Sequence, residues 1–208
     1  MAASYRPRVL CISLVDPKEG RWHMAFTIST VREAIAWSYA NLARAHAALA
    51  DGAPVYGRTH HIIRSKLFAG LKSGRMSMRS IFDDERIKLT AEQVCSYCGG
   101  KENLAVDHLI SQIRGGRDSA DNLILACRSC NSSKQGKDLL EWMRERGKFP
   151  SILVLRRYLK IVARYCEHEA LMEMEVAALR GRNLPFEIAC LPYDFPPLPT
   201  LRLRATAE

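Results

Sequence analysis

Two pairs of cysteines, Cys95-Ser-Tyr-Cys98 and Cys127-Arg-Ser-Cys130, repeat one spacing within a 208-residue chain. Each Cys-x2-Cys pair bends into a knuckle whose two thiolates point at one ion, and two knuckles complete a tetrahedron. Four protein ligands close the coordination sphere, so the pattern predicts a structural Zn²⁺. Cysteines packed merely as small apolar residues have no reason to repeat the spacing. The 28 residues between the pairs exceed the roughly 15–20 of a plain two-knuckle ribbon, so something is inserted. Asp107 and His108 place a carboxylate beside an imidazole in the otherwise apolar run 104–110. Arg114-Gly115-Gly116-Arg117-Asp118 turns the chain, and Asn122-Leu123-Ile124-Leu125 returns it to the second knuckle. Asn131 follows Cys130 at the start of an expected helix, and Lys134 stands about one turn further along. Neighbours on a regular strand face opposite sides. Asp107 and His108 can therefore serve one site only where the strand is bulged or ends, and local irregularity is expected at this dipeptide.

The order Cys-x2-Cys, Asp-His, Gly-Gly, Asn-Leu, Cys-x2-Cys-Asn-x2-Lys resembles the HNH endonucleases that carry a four-cysteine zinc site, the McrA-like group. It is also similar to phage Holliday-junction resolvases and to the HNH domain of RNA-guided nucleases. The resemblance covers roughly 44 residues and about nine positions in fixed order. It implies an α+β fold: a ββα-metal (His-Me finger) core on a zinc ribbon, with mainly helical extensions on both sides. It further implies a metal-dependent endonuclease acting on DNA, in restriction or phage defence, with His108 as general base. Asp107 and Asn131 resemble the two protein ligands of a catalytic Mg²⁺ or Mn²⁺, and Asn122 the residue that braces the loop. Many relatives carry a histidine where Asn131 stands, and asparagine favours hard ions there. Lys134, Lys137, Arg114 and Arg117 are candidate phosphate contacts.

These residues need elements to hold them. The run 9–15, a turn at 16–20 and the run 22–28 read as a hairpin. Thr30 with Glu33 is a capping-box signal for a helix with Ile35, Tyr39, Leu42 and Leu49 on one face, ending near Gly52. His46 falls on that stripe as a packed or edge residue. A second helix spans 58–71, apolar at Ile63, Leu67 and Leu71 and basic at Arg64, Lys66 and Lys72; His60 and His61 are read as its exposed surface. The stretch 75–88 is mixed and stays unassigned. Residues 139–145, 151–165 and 167–180 read as amphipathic helices, and the proline-rich tail from Pro185 as an extended arm. Segments 1–90, 91–138 and 139–208 are the expected divisions. Cys11, Cys166 and Cys190 are simplest as buried apolar residues.

Composition bounds the partners. The net charge is +9, and residues 1–94 hold 14 Lys and Arg against 8 Asp and Glu. The excess precedes the cysteines, mostly between Arg58 and Lys88, and leans toward phosphate backbones; Arg64 and Lys66 are the candidate contacts there. Seven cysteines, an odd number, disfavour a disulfide framework. No apolar run is long enough for a bilayer and no signal peptide is present, so a cytoplasmic chain without membrane contact is expected. A zinc-ribbon adaptor that binds nucleic acid without cutting it is the competing class, although a plain binder needs none of Asp107, His108, Asn122 and Asn131. A nuclease subunit waiting on a protein partner, or acting as a homodimer, is the third.

Overall fold

The computed structural model describes residues 11–12 and 26–207. Helices dominate, with two small antiparallel sheets. In the first, β1 (Cys11–Ile12) pairs with β2 (Phe26–Thr27); the rest of the expected hairpin lies outside the described residues. Helix α1 (Val31–Ala50) starts as its capping box dictates: Thr30 Oγ1 accepts from the Glu33 N–H and the Glu33 carboxylate accepts from the Thr30 N–H. Helix α2 (Arg58–Lys72) packs along α1. The unassigned stretch forms α3 (Ile81–Thr90), capped by Ser80. Its inward face is ionic: Asp84 takes Arg156 and Lys160, and Glu85 takes Arg157 and Lys88.

Strands β3 (Leu104–His108) and β4 (Leu123–Cys127) form the second sheet, and α4 (Arg128–Lys134) follows directly. Asp138 caps α5 (Leu139–Glu145) by accepting from the Leu140 and Glu141 N–H groups, and its second oxygen takes the Tyr158 hydroxyl at 2.5 Å. Helix α6 (Ile152–His168) crosses α1 and α3. Buried side chains from 28 through 201 join one apolar cluster, in which Trp142, Tyr158 and Phe186 are large members. Among the described residues no helix is long and apolar enough to cross a membrane.

Two expectations fail here. Residues 167–180 are not a helix: α6 stops at His168, Ala170 turns left-handed at φ 53°, and only a 3-10 turn at Val176–Leu179 follows. The reason lies at α1, whose first N–H groups have no partner inside their own helix. The Met174 and Met172 carbonyls accept from Val31 N and Arg32 N, both at 2.9 Å, so this segment caps α1 instead of coiling. The proline-rich tail is extended but packed, with Phe186, Ile188, Leu191, Leu198 and Leu201 buried. The Tyr193 carbonyl accepts from Trp37 Nε1 and Asn41 Nδ2.

Candidate active site

The four knuckle sulfurs all lie within 4.8 Å of one another, and Cys98 Sγ stands 3.8 Å from Cys127 Sγ. A tetrahedral ion with Zn–S bonds of about 2.3 Å places its sulfurs about 3.8 Å apart, so the cluster fits zinc. Each knuckle is shaped by backbone contacts: Gly99 N–H donates to the Cys95 carbonyl at 2.8 Å, and Cys130 N–H donates to Cys127 Sγ at 3.5 Å. That last contact holds the Cys127 thiol below its ordinary pKa, while burial pushes Cys98 and Cys130 up. The first knuckle is tied to the hairpin by Ser96 N–H on the Leu125 carbonyl.

The β3–β4 ladder is unbroken, running from Leu104 opposite Cys127 to His108 opposite Leu123. The expected irregularity at Asp107-His108 is absent, although the strand does end at His108. Regular pairing sends the two side chains in different directions. Asp107 turns inward and is 7% exposed. Its Oδ2 accepts from the Tyr97 hydroxyl at 2.6 Å and pairs with Lys134 Nζ at 3.3 Å. His108 is partly exposed, and its Nε2 stands 2.9 Å from Asp118 Oδ1.

Lys134 corrects the sequence reading. It is fully buried, and Nζ also donates to the His108 carbonyl at 2.7 Å, so it cannot touch a phosphate. Burial lowers the Lys134 pKa, and the Asp107 carboxylate draws it part of the way back. Asn131 lies three residues earlier on α4, on the same side of that helix, and is half-buried.

Asn122 is 2% exposed and ties the loop in three places. Its Oδ1 accepts from Ile110 N–H at 2.8 Å, and its Nδ2 donates to the Ile110 and Arg117 carbonyls at 2.9 and 2.8 Å. The diglycine turn allows this closure. Gly115 has φ 94°, and a Cβ on Gly116 would stand 1.9 Å from the Ile110 carbonyl oxygen.

The other expected contacts scatter. Arg117 and Lys66 are exposed. Arg114 is partly engaged, donating from Nε to the Pro185 carbonyl at 3.3 Å, and Lys137 pairs with Glu145. Arg64 lies over the Trp37 ring, 4.9 Å from its centre, and burial pulls its pKa down to about 10. It therefore packs against α1 and is not part of an open basic face. His60 is buried, accepting from Gly57 N–H and contacting Asp51, while His61 is exposed as expected. Tyr97 and Asp118 were not foreseen as partners of Asp107 and His108. The one available signal was position, since Tyr97 lies inside a knuckle and Asp118 just beyond the diglycine.

Cys95, Cys98, Cys127, Cys130, Cys166 and Cys190 are in no disulfide; the side chain of Cys11 lies outside what is described. The family model described as HNH endonuclease matches residues 95–137, the segment that holds both knuckles, the hairpin and α4. No curated protein and no solved structure matches the chain.

Proposed function

We propose that this chain, with its HNH endonuclease domain at residues 95–137, hydrolyses phosphodiester bonds in DNA through a ββα-metal core. The observation that carries the reading is the placement of Asp107 and His108 at the end of β3 against α4, which bears Asn131, inside the matched segment. Hydrolysis needs an activated water, relief of charge on a phosphorane-like transition state, and help for the leaving oxygen. His108 takes the proton from water: Asp118 holds Nε2–H, which leaves Nδ1 as the basic nitrogen. Asn122 supports that arrangement, because the carbonyl it fixes belongs to Arg117, the neighbour of Asp118.

Asp107 and Asn131 would hold Mg²⁺ or Mn²⁺ through oxygen, the donor type both ions prefer. Asp107 Oδ2 is committed to Tyr97 and Lys134, so Oδ1 is the oxygen that would be open to such an ion. When bound, such an ion supplies Lewis-acid stabilisation of the leaving oxygen and the transition-state charge. Lys134 holds Asp107 in place by pairing with its other oxygen. The zinc held by Cys95, Cys98, Cys127 and Cys130 is structural. One such site cuts one strand, so nicked circles precede linear DNA. Use of four cysteines as a metal cluster supports a reducing, cytoplasmic setting, and the resemblance supports a role in restriction or phage defence.

The test is nicking of supercoiled plasmid by the purified chain over a Mn²⁺ titration, with Asp107→Ala and Asn131→Ala alongside. Wild type nicks with Mg²⁺ or Mn²⁺, both variants need more Mn²⁺, and Asp107→Ala is the more severe because it removes the negative ligand. If both variants saturate at wild-type Mn²⁺ concentrations and rates, the ligand assignment is wrong.

A further inference from the structure

The nuclease reading leaves unused a cavity of about 530 Å³ between α1, α3 and α6. Its walls carry Arg79 and Arg86 from the stretch around α3, Arg156 and Lys160 from α6, and His46 from α1, with Asp83 as the acidic residue among them. The ionic face of α3 sets the charge balance. Asp84, 4% exposed, is shared by Arg156 Nε at 2.6 Å and Lys160 Nζ at 2.5 Å. Glu85 is shared by Arg157 and Lys88. Two carboxylates therefore answer four cations along this contact. Arg79 and Arg86 add two more, neither with an ion-pair partner among the described residues, and Asp83 returns one negative charge.

Arg79 and Arg86 are exposed at the mouth of this cleft, above the paired Arg156 and Lys160, and positive potential concentrated in a cleft attracts an anion. Two of the cations are fixed in direction. Lys160 Nζ is pinned by Asp84 and by the Ser80 carbonyl at 2.9 Å, and Arg156 spends Nε and Nη2 on Asp84. The two guanidinium groups unpaired among the described residues, Arg79 and Arg86, beside the fixed cations Arg156 and Lys160, favour tetrahedral, multiply acceptor oxyanions, because arginine forks match phosphate oxygens in pairs. The volume exceeds a single phosphate and suits a nucleotide or a short stretch of strand.

We propose that this cleft binds a phosphate-bearing ligand, either a free nucleotide or the backbone of a nucleic-acid strand, at a site separate from the HNH centre. The contact is poised to be felt there. Arg157, adjacent to Arg156, donates to the Asp121 carbonyl at 3.0 Å, and Lys88 reaches the Ala120 and Leu123 carbonyls, the residues that flank Asn122.

The experiment is calorimetric titration of the zinc-loaded full chain carrying His108→Ala, without Mg²⁺ or Mn²⁺, so that no strand is cut. The probes are inorganic pyrophosphate, the dinucleotide pTpT and a thymidine strand of about 12 nucleotides, a length within usual single-strand site sizes. Each probe that binds should weaken about tenfold or more, at least 1.4 kcal/mol, in Arg79→Ala/Arg86→Ala. The exposed pair Arg58→Ala/Arg75→Ala, outside the cavity, should leave binding unchanged. Pyrophosphate and pTpT binding as tightly as the long strand assigns a free nucleotide. Affinity that climbs with length while still depending on Arg79 and Arg86 assigns the strand, and each lost phosphate contact then lowers the log–log salt slope by about 0.7. No binding of any probe, or equal binding by wild type and the double variant, overturns the proposal. Because the readout is binding in a cleavage-silenced chain, it stands or falls apart from the nuclease assignment.

Discussion

Replacing Lys134 by methionine keeps most of the side chain and deletes the ammonium that faces Asp107. Both residues are dry: Lys134 is 0% and Asp107 7% exposed, with Nζ 3.3 Å from Oδ2. Without the cation, the carboxylate keeps the Tyr97 hydroxyl alone, and the His108 carbonyl loses its 2.7 Å donor. Removing one partner of a buried pair typically costs about 3–5 kcal/mol. The buried thioether recovers about 1 kcal/mol of that through apolar burial. The net expectation for Lys134→Met is a loss of about 2–4 kcal/mol, a large share of the roughly 5–15 kcal/mol of an ordinary domain. The assay is urea unfolding at pH 7 with zinc present, analysed by linear extrapolation with an unchanged m value. Adding Asp107→Asn removes the stranded charge and should restore at least half the loss. A loss under about 1 kcal/mol, or a double variant no more stable than Lys134→Met, would refute the buried-pair account and return Lys134 to the surface.

Glu33 gives a pH test. Burial alone would raise its carboxyl, but Lys72 and the Ser29 and Thr30 N–H groups outweigh it and bring the pKa down to about 2. A depressed carboxylate stabilises the fold above its unfolded pKa of about 4.3 and loses that contribution as pH falls toward 2. Glu33→Gln should therefore be less stable by about 1 kcal/mol at pH 7, after discounting for solvent screening. The deficit should shrink below about pH 4, and a deficit constant across the acid limb in unfolding midpoints would contradict this. Asn122→Ala should cost about 2–4 kcal/mol, because two buried backbone groups of Ile110 and the part-buried Arg117 carbonyl lose their partners. Amide exchange at Ile110 should accelerate with it, and unchanged protection there would mean that Asn122 does not brace the loop.

The legible parts of this chain are those with local causes. Thr30 and Glu33 announce α1 because a capping box is written within four residues. The knuckles are legible because metal geometry fixes their spacing. Helix α3 was hidden because its inner face is Asp84, Glu85 and Lys88, and a helix buried through ion pairs carries no apolar period. Residues 167–180 misled because their pattern suits a helix, while the α1 N-terminus, 141 residues away at the Arg32–Glu173 contact, demanded their carbonyls. At the site, residue types and order were readable, but directions were not. That Lys134 turns inward to Asp107 depends on how α4 lies on β3, which no single-sequence pattern encodes.

The central claim is that His108 is the base of a phosphodiesterase centre. It is tested most directly by the Mn²⁺-dependent nicking rate of plasmid by wild type and by His108→Ala, with zinc measured on both preparations. The account predicts about one zinc per chain in each and a rate lower by about 10²–10⁴ in the variant. A zinc-loaded His108→Ala protein that nicks within about tenfold of wild type would contradict it.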